Sequence, residues 1–144
     1  MEEQKDFEEI SVAICDDSAL MRNLVSRIVS ENPNFKIVCK AVNGKMLLDM
    51  LPSCKPDVIV LDIEMPVMTG VEFLKNRKAQ KIDVPVIILS SIATQGAAVT
   101  IQCLELGASD FITKPGGAAS PEVVNVGDEL VEKIYNRVMC GMGF

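Results

Sequence analysis

No histidine occurs anywhere in the 144 residues. This chain therefore has no Ser-His-Asp or Cys-His machinery and cannot relay a phosphoryl group through histidine. Tryptophan is also absent, tyrosine occurs once, and lysine and arginine form no stripe, so nucleic-acid binding has no support. The five cysteines, Cys15, Cys39, Cys54, Cys103 and Cys140, are odd in number and widely spaced, with no CxxC. A disulfide framework and a zinc site are therefore not expected, and the cysteines read as small core residues. No apolar run approaches the length of about 20 residues that crosses a membrane. The N-terminus lacks the basic segment, apolar stretch and cleavage site of a secretory signal. The expectation is a cytoplasmic protein with reduced thiols and no membrane contact.

Charge is scarce too, once its placement is considered. The net charge is −6, but residues 1–10 hold five acids and one base, giving −4 and leaving about −2 for the rest. That opening segment reads as a flexible acidic tail, residues 11–139 as one domain, and 140–144 as a tail or the start of a linker.

What the sequence does have is a rhythm of apolar runs. Strand-like segments begin near residues 11, 36, 57, 84 and 110, at spacings of 25, 21, 27 and 26 residues. This is the spacing of repeated βα units. Between them lie helical patterns. Ser18 caps a first helix with Met21, Leu24, Val25 and Ile28 at helical spacing, ended by Asn32-Pro33. Asn43-Gly44 opens a second, closed before Pro52. Thr69-Gly70 opens a third with Val71 and Leu74 inward. Thr94 opens a fourth, with Ala97, Ala98, Ile101 and Leu104 as its apolar positions, ending at Gly107. A last helix carries Leu130, Val131, Ile134 and Val138 on one face. Its start is ambiguous, because Ser120-Pro121 and Asn125 through Asp128 both look like N-terminal signals.

Five parallel strands joined by right-handed crossovers leave few topologies. A flavodoxin-like (βα)5 doubly wound sheet, strand order 2-1-3-4-5, sets strands 1 and 3 side by side at the topological switch point. Those are the strands that end in carboxylates: Val12-Ala13-Ile14-Cys15 runs into Asp16-Asp17, and Val58-Ile59-Val60-Leu61 into Asp62. Strand 4 ends on Ser90 and strand 5 on Lys114, whereas edge strand 2 ends in Ala41-Val42 and brings no chemical group. Functional crevices of such sheets lie beyond the carboxyl ends of the strands. Three acids, a hydroxyl and a lysine are thus expected to converge.

Like charges about 4 Å apart repel by roughly 4 kcal/mol per pair at an effective dielectric near 20. A domain of this size has only about 5–15 kcal/mol of stability in total. Three carboxylates held together therefore call for a divalent cation. An all-oxygen set without His or Cys favours Mg²⁺, with Mn²⁺ able to substitute, and Mg²⁺ is commonly completed by phosphate oxygens. In that reading Asp62 is a nucleophile toward phosphorus. Asp17 and Asp62 hold the metal, with Asp16 acting directly or through water. Lys114 and Ser90 meet phosphoryl oxygens. The bland alternatives are an Asp16 or Asp17 that merely caps the first helix, a Lys114 that snorkels from a strand end, and a Ser90 that is a turn residue.

Asp16-Asp17-Ser18-Ala19-Leu20-Met21-Arg22, Leu61-Asp62-Ile63-Glu64-Met65-Pro66, Ser90-Ser91 and Lys114-Pro115-Gly116-Gly117 stand in this order and spacing. As a set they resemble the receiver domain of two-component response regulators, over residues 11 to about 139. The resemblance implies that Asp62 accepts a phosphoryl group from the phosphohistidine of a kinase. It also implies that the Glu64 backbone carbonyl joins Asp16, Asp17 and Asp62 around Mg²⁺. Ser90 and Phe111 become the switch hydroxyl and switch aromatic, Glu64 and Ser91 tune the lifetime of the phosphoryl group, and Lys114–Pro115 is a cis bond.

In finer detail these motifs resemble the regulatory half of the chemotaxis protein-glutamate methylesterases, the CheB family, whose C-terminal esterase domain carries the catalytic triad. This chain is then expected to be no enzyme beyond its own phosphorylation and dephosphorylation. It would regulate either an esterase domain in a longer parent or, as a free-standing receiver, a partner or a phosphate sink. Two rival classes exist. Asp62-x-Glu64 faintly resembles the motif of small aspartyl-nucleophile phosphatases. A flavodoxin-like binding module shares the topology, but its first loop is hydroxyl-rich, whereas Asp16-Asp17-Ser18 repels phosphate unless metal is present.

Overall fold

The computed structural model describes residues 9–90, 98–114 and 122–141. Five strands, β1 (Ile10–Cys15), β2 (Phe35–Ala41), β3 (Val58–Asp62), β4 (Val86–Ser90) and β5 (Asp110–Thr113), alternate with five helices. The helices are α1 (Ala19–Ser30), α2 (Gly44–Cys54), α3 (Gly70–Ala79), α4 (Ala98–Glu105) and α5 (Glu122–Gly141). All strand pairs are parallel, in the order β2-β1-β3-β4-β5. This is the flavodoxin-like arrangement expected from the rhythm of the apolar runs. Ile10, assigned to the acidic tail on charge alone, is instead the first residue of β1. It is buried, and its N–H donates to the Asn34 carbonyl. At the other end α5 continues to Gly141, past the boundary expected at 139.

The central strands have no polar side because both faces are covered. In β3, Ile59 and Leu61 join Leu47, Phe73, Leu74 and Cys103 on the α2, α3 and α4 face. Val58 and Val60 join Val25, Val29, Leu130 and Ile134 on the α1 and α5 face. Alternation therefore survives as a choice between two dry clusters, which is why β1, β3 and β4 read as unbroken apolar runs.

The helix termini follow local chemistry. Ser18 Oγ accepts from the Met21 N–H at 3.2 Å, and Asn43 Oδ1 accepts from the Met46 N–H at 2.9 Å. Thr69 and Glu72 form a reciprocal capping box that aims α3. Two expectations need correction, and one ambiguity is resolved. The second helix does not close before Pro52 but runs through it to Cys54, with Lys55 in a left-handed conformation donating back to the Leu51 carbonyl. Pro52 is solvent-exposed in the last turn, while Leu51 behind it is buried, so the packing of Leu51 offsets one missing backbone donor. In α4 the inward positions are Thr100 and Cys103; Ile101 and Leu104 face solvent at 52% and 38% exposure. With apolar residues around most of its circumference, this helix gave its spacing no power to choose a face. The last helix starts before Gly127, which packs within α5 toward Ile28. Thr94 and Ala97 lie outside the described residues.

Candidate active site

Asp16 follows directly on β1, and its backbone N–H extends the pairing by donating to the Ala41 carbonyl at 3.1 Å. Its side chain is fully buried. One oxygen, Oδ1, accepts from the Ser18 N–H at 2.9 Å, while the Arg22 guanidinium donates to the Asp16 carbonyl at 2.8 Å. The start of α1 thus fixes the acid from two sides. Asp17 is exposed at the mouth. Asp62, the last residue of β3, is 3% exposed. One carboxylate oxygen from each of Asp16, Asp17 and Asp62 lies within 4.8 Å of the others.

Lys114, just beyond β5, reaches into the same place. Its Nζ lies 2.8 Å from Asp62 Oδ1 and 3.5 Å from Asp16 Oδ2. The first contact is a charge-assisted hydrogen bond. The second is an ion pair only, and Asp16 Oδ2 is buried with no hydrogen-bond partner among the described residues. Ser90, at the end of β4, is also buried, and its Oγ likewise has no partner among them. The backbones of Ser90 and Lys114 are joined directly, the Lys114 N–H donating to the Ser90 carbonyl at 2.7 Å. Every strand-end residue expected at the crevice is therefore there.

Electrostatics register the crowding. Burial, reinforced by Asp16 and Asp17, pushes the Asp62 carboxyl up to about 6 against the pull of Lys114. Burial also raises Asp16, although the Ser18 N–H and Lys114 oppose it. For Lys114, burial alone would lower the ammonium; Asp62 and Asp16 outweigh it, and the net shift is upward. Three carboxylates gather around one ammonium, and one buried carboxylate oxygen has no hydrogen-bond partner among the described residues. An all-oxygen donor set with that charge imbalance fits a hard divalent cation such as Mg²⁺. Asp17, Ile63, Glu64 and Met65 border a cleft of about 460 Å³ beside these acids.

The Glu64 side chain points to solvent at this cleft. Phe111 is half-buried. What holds it is not legible from sequence alone: Lys133 of α5 lies 5.7 Å from the Phe111 ring centroid and donates to the Phe111 carbonyl at 2.8 Å. The same ammonium meets Asp110 at 3.1 Å and Glu129 at 3.0 Å. A second missed contributor is Gly70. A Cβ there would sit 2.8 Å from the Asp62 carbonyl oxygen and from Ile63 Cα, and its N–H donates to the Ile63 carbonyl. Only glycine lets α3 start this close to the backbone of Asp62 and Ile63. Between them Val67 takes φ +67, with the Met68 N–H donating to the Pro66 carbonyl at 2.6 Å, a tight and strained turn for a β-branched residue. Ser91, the Lys114–Pro115 bond and Gly116-Gly117 lie outside the described residues.

Residues 12–121 match the response regulator receiver domain family. The chain belongs to that family. The protein-glutamate methylesterase/protein-glutamine glutaminase of Treponema denticola is 57% identical over 133 residues, which cover 91% of this chain and 36% of that protein. The Bacillus subtilis protein of the same description is 44% identical over 92% of the chain and 37% of its own length. The receiver thus spans little more than a third of the curated relatives it matches. Among solved structures, the response regulator domain of Thermotoga maritima CheB superposes with a TM-score of 0.80 at 43% identity, covering 90% of this chain and 96% of that one. A chain from the complex of the CheA3 P1 domain with CheY6 of R. sphaeroides gives a TM-score of 0.72 at 36% identity, covering 90% and 97%. This is a receiver domain of the CheB type.

Proposed function

We propose that this receiver is a phosphorylation-gated module in which Asp62 accepts a phosphoryl group from a chemotaxis-type histidine kinase. The observation that carries the reading is the convergence of Lys114 on Asp62 at 2.8 Å within a set of three clustered carboxylates. An Asp62 oxygen attacks phosphorus, and the donor imidazole leaves with the bonding electron pair, giving an acyl phosphate. Asp16, Asp17, Asp62 and the Glu64 carbonyl are the groups that would hold Mg²⁺, which supplies charge neutralisation for the transferring group. Lys114 orients one phosphoryl oxygen and takes up negative charge, so its bond to Asp62 is exchanged for one to the phosphate. The unpartnered Ser90 Oγ donates to another oxygen.

The acyl phosphate adds roughly one unit of negative charge and new acceptor oxygens. Recruiting Ser90 and Lys114 to those oxygens biases the packing of β5, Phe111 and the α4-β5-α5 face, a shift in population rather than a new fold. Its proposed target is the esterase part of a longer protein of the kind found in the relatives, and a chemotaxis-type kinase as donor supports a cytoplasmic setting. Acetyl phosphate with Mg²⁺ should add one phosphoryl group to the wild type, seen as a mass increase that hydroxylamine removes. Asp62→Asn should show none. Labelling of Asp62→Asn equal to wild type would overturn the assignment.

A further inference from the structure

Away from the acids, on the α2 side of the sheet, three sulfurs converge. Cys39 comes from edge strand β2 and is buried. Met50 and Cys54 are four residues apart on α2, and so lie on one face of that helix. The Cys39 thiol approaches Met50 Sδ at 3.7 Å, and Cys54 lies near enough to act electrostatically on the Cys39 thiol. Met50 and Cys54 are only partly buried and pack on the same apolar cluster as Cys39, so the group sits at the rim of the core, with an open edge.

We propose that Cys39, Met50 and Cys54 form a binding site for Cu(I). Thiolate and thioether donors together are the combination that selects a soft monovalent ion. At metal–sulfur bonds of about 2.3 Å, a trigonal set of sulfurs is about 4 Å apart, and the 3.7 Å between Cys39 Sγ and Met50 Sδ is already close to that spacing. Zinc is disfavoured because it takes four ligands and the third donor here is a thioether. Binding breaks two S–H bonds and forms two Cu–thiolate bonds and one dative bond from the Met50 thioether; the two protons pass to solvent, and copper stays cuprous throughout. The resulting single negative charge is shared with Cys54 at the half-exposed edge. Burial pushes the Cys39 thiol up to about 12, with Cys54 adding to it, so an ion bound there must displace the Cys39 proton.

The test is anaerobic competition between the reduced protein and bicinchoninate for Cu(I), supplied from acetonitrile. One ion per chain should leave the chelator, with a sulfur-to-copper charge-transfer band in the ultraviolet. Cys54→Ser should weaken binding by at least about 100-fold and Met50→Leu by about 10-fold, whereas Cys103→Ala should leave it unchanged. Far-UV circular dichroism establishes that each variant is folded; if Cys54→Ser is not, the nearly isosteric Met50→Leu decides. Failure to compete, equal binding by every variant, or equal affinity for Zn²⁺ would overturn the proposal. So would closure of Cys39 and Cys54 to a disulfide lighter by two hydrogens under the same anaerobic conditions. None of these outcomes depends on phosphorylation of Asp62.

Discussion

Lys114 Nζ sits 2.8 Å from Asp62 Oδ1 and 3.5 Å from Asp16 Oδ2, a single ammonium between two buried carboxylates. Removing one partner of a buried ion pair strands the other. Lys114→Met should therefore lower the stability of the metal-free protein at pH 7 by about 2–4 kcal/mol, and acetyl phosphate labelling should fall at least tenfold. Urea unfolding at matched pH measures the first effect. A midpoint at or above that of wild type would show that the lysine does not compensate these acids.

Asp62 makes the opposite prediction. Its carboxyl is raised to about 6, so the folded state holds the proton more tightly than the unfolded chain does. Stability attached to this group is present below the ordinary carboxylate range and is lost as pH rises from about 4 to about 6. Asp62→Asn mimics the protonated form and should be more stable than wild type at pH 7 by roughly 2–3 kcal/mol without metal. At pH 4 the two proteins should unfold together. A gap independent of pH would contradict the electrostatic origin.

Magnesium should close that gap. At a concentration 100 times its dissociation constant, a ligand that binds only the folded state adds about 2.7 kcal/mol. Wild type should gain this much from Mg²⁺, and Asp17→Ala should gain little, although Asp17 is exposed and costs the metal-free protein almost nothing. Thermal melts with and without Mg²⁺ separate the two proteins.

Ser90→Ala removes a buried hydroxyl that has no partner among the described residues. Deleting such a group should be neutral or stabilising by up to about 1 kcal/mol. The same change should leave phosphorylation of Asp62 largely intact and weaken the response that follows. A mutant whose intrinsic fluorescence or NMR response to acetyl phosphate and Mg²⁺ equals that of wild type would refute the switch role.

Gly70→Ala places a methyl group 2.8 Å from the Asp62 carbonyl oxygen. Backbone must yield, because both neighbours are backbone atoms. The expected loss is about 1–3 kcal/mol of stability, together with slower labelling, read from unfolding curves and initial labelling rates. Gly127→Ala, whose new Cβ would meet Ile28 at ordinary contact distance, is the matched control and should be tolerated.

The strands and the strand-end residues were legible because they depend on one-dimensional signals: an apolar run, then a polar residue at its carboxyl end. Asp16, Asp62, Ser90 and Lys114 meet because parallel pairing brings all such ends to one edge of the sheet. What the sequence concealed depends on contacts between distant segments. Gly70 looked like a helix starter, yet its requirement comes from the backbone of Asp62 and Ile63 beneath it. Lys133 stands 22 residues from Phe111 and was one charge among several on α5. Ile101 and Leu104 stand out as apolar positions of the fourth helix because hydropathy ranks them above Thr100, whereas the buried face is settled by the neighbours of α4. Pro52 was read as a helix stop, but in a final turn the packing of Leu51 outweighs one lost donor.

The backbone bond between the Lys114 N–H and the Ser90 carbonyl gives the site a mechanical property. β5 is an outer strand, with no further strand beyond it among the described residues. The hydroxyl and the ammonium thus hang from adjacent rungs of the same ladder, and displacing one strains the attachment of the other. A grip on the outer edge of β5 pulls on both groups at once. Whatever binds that edge would therefore load or relax the Ser90 hydroxyl from outside, as a hand on a gate moves the latch.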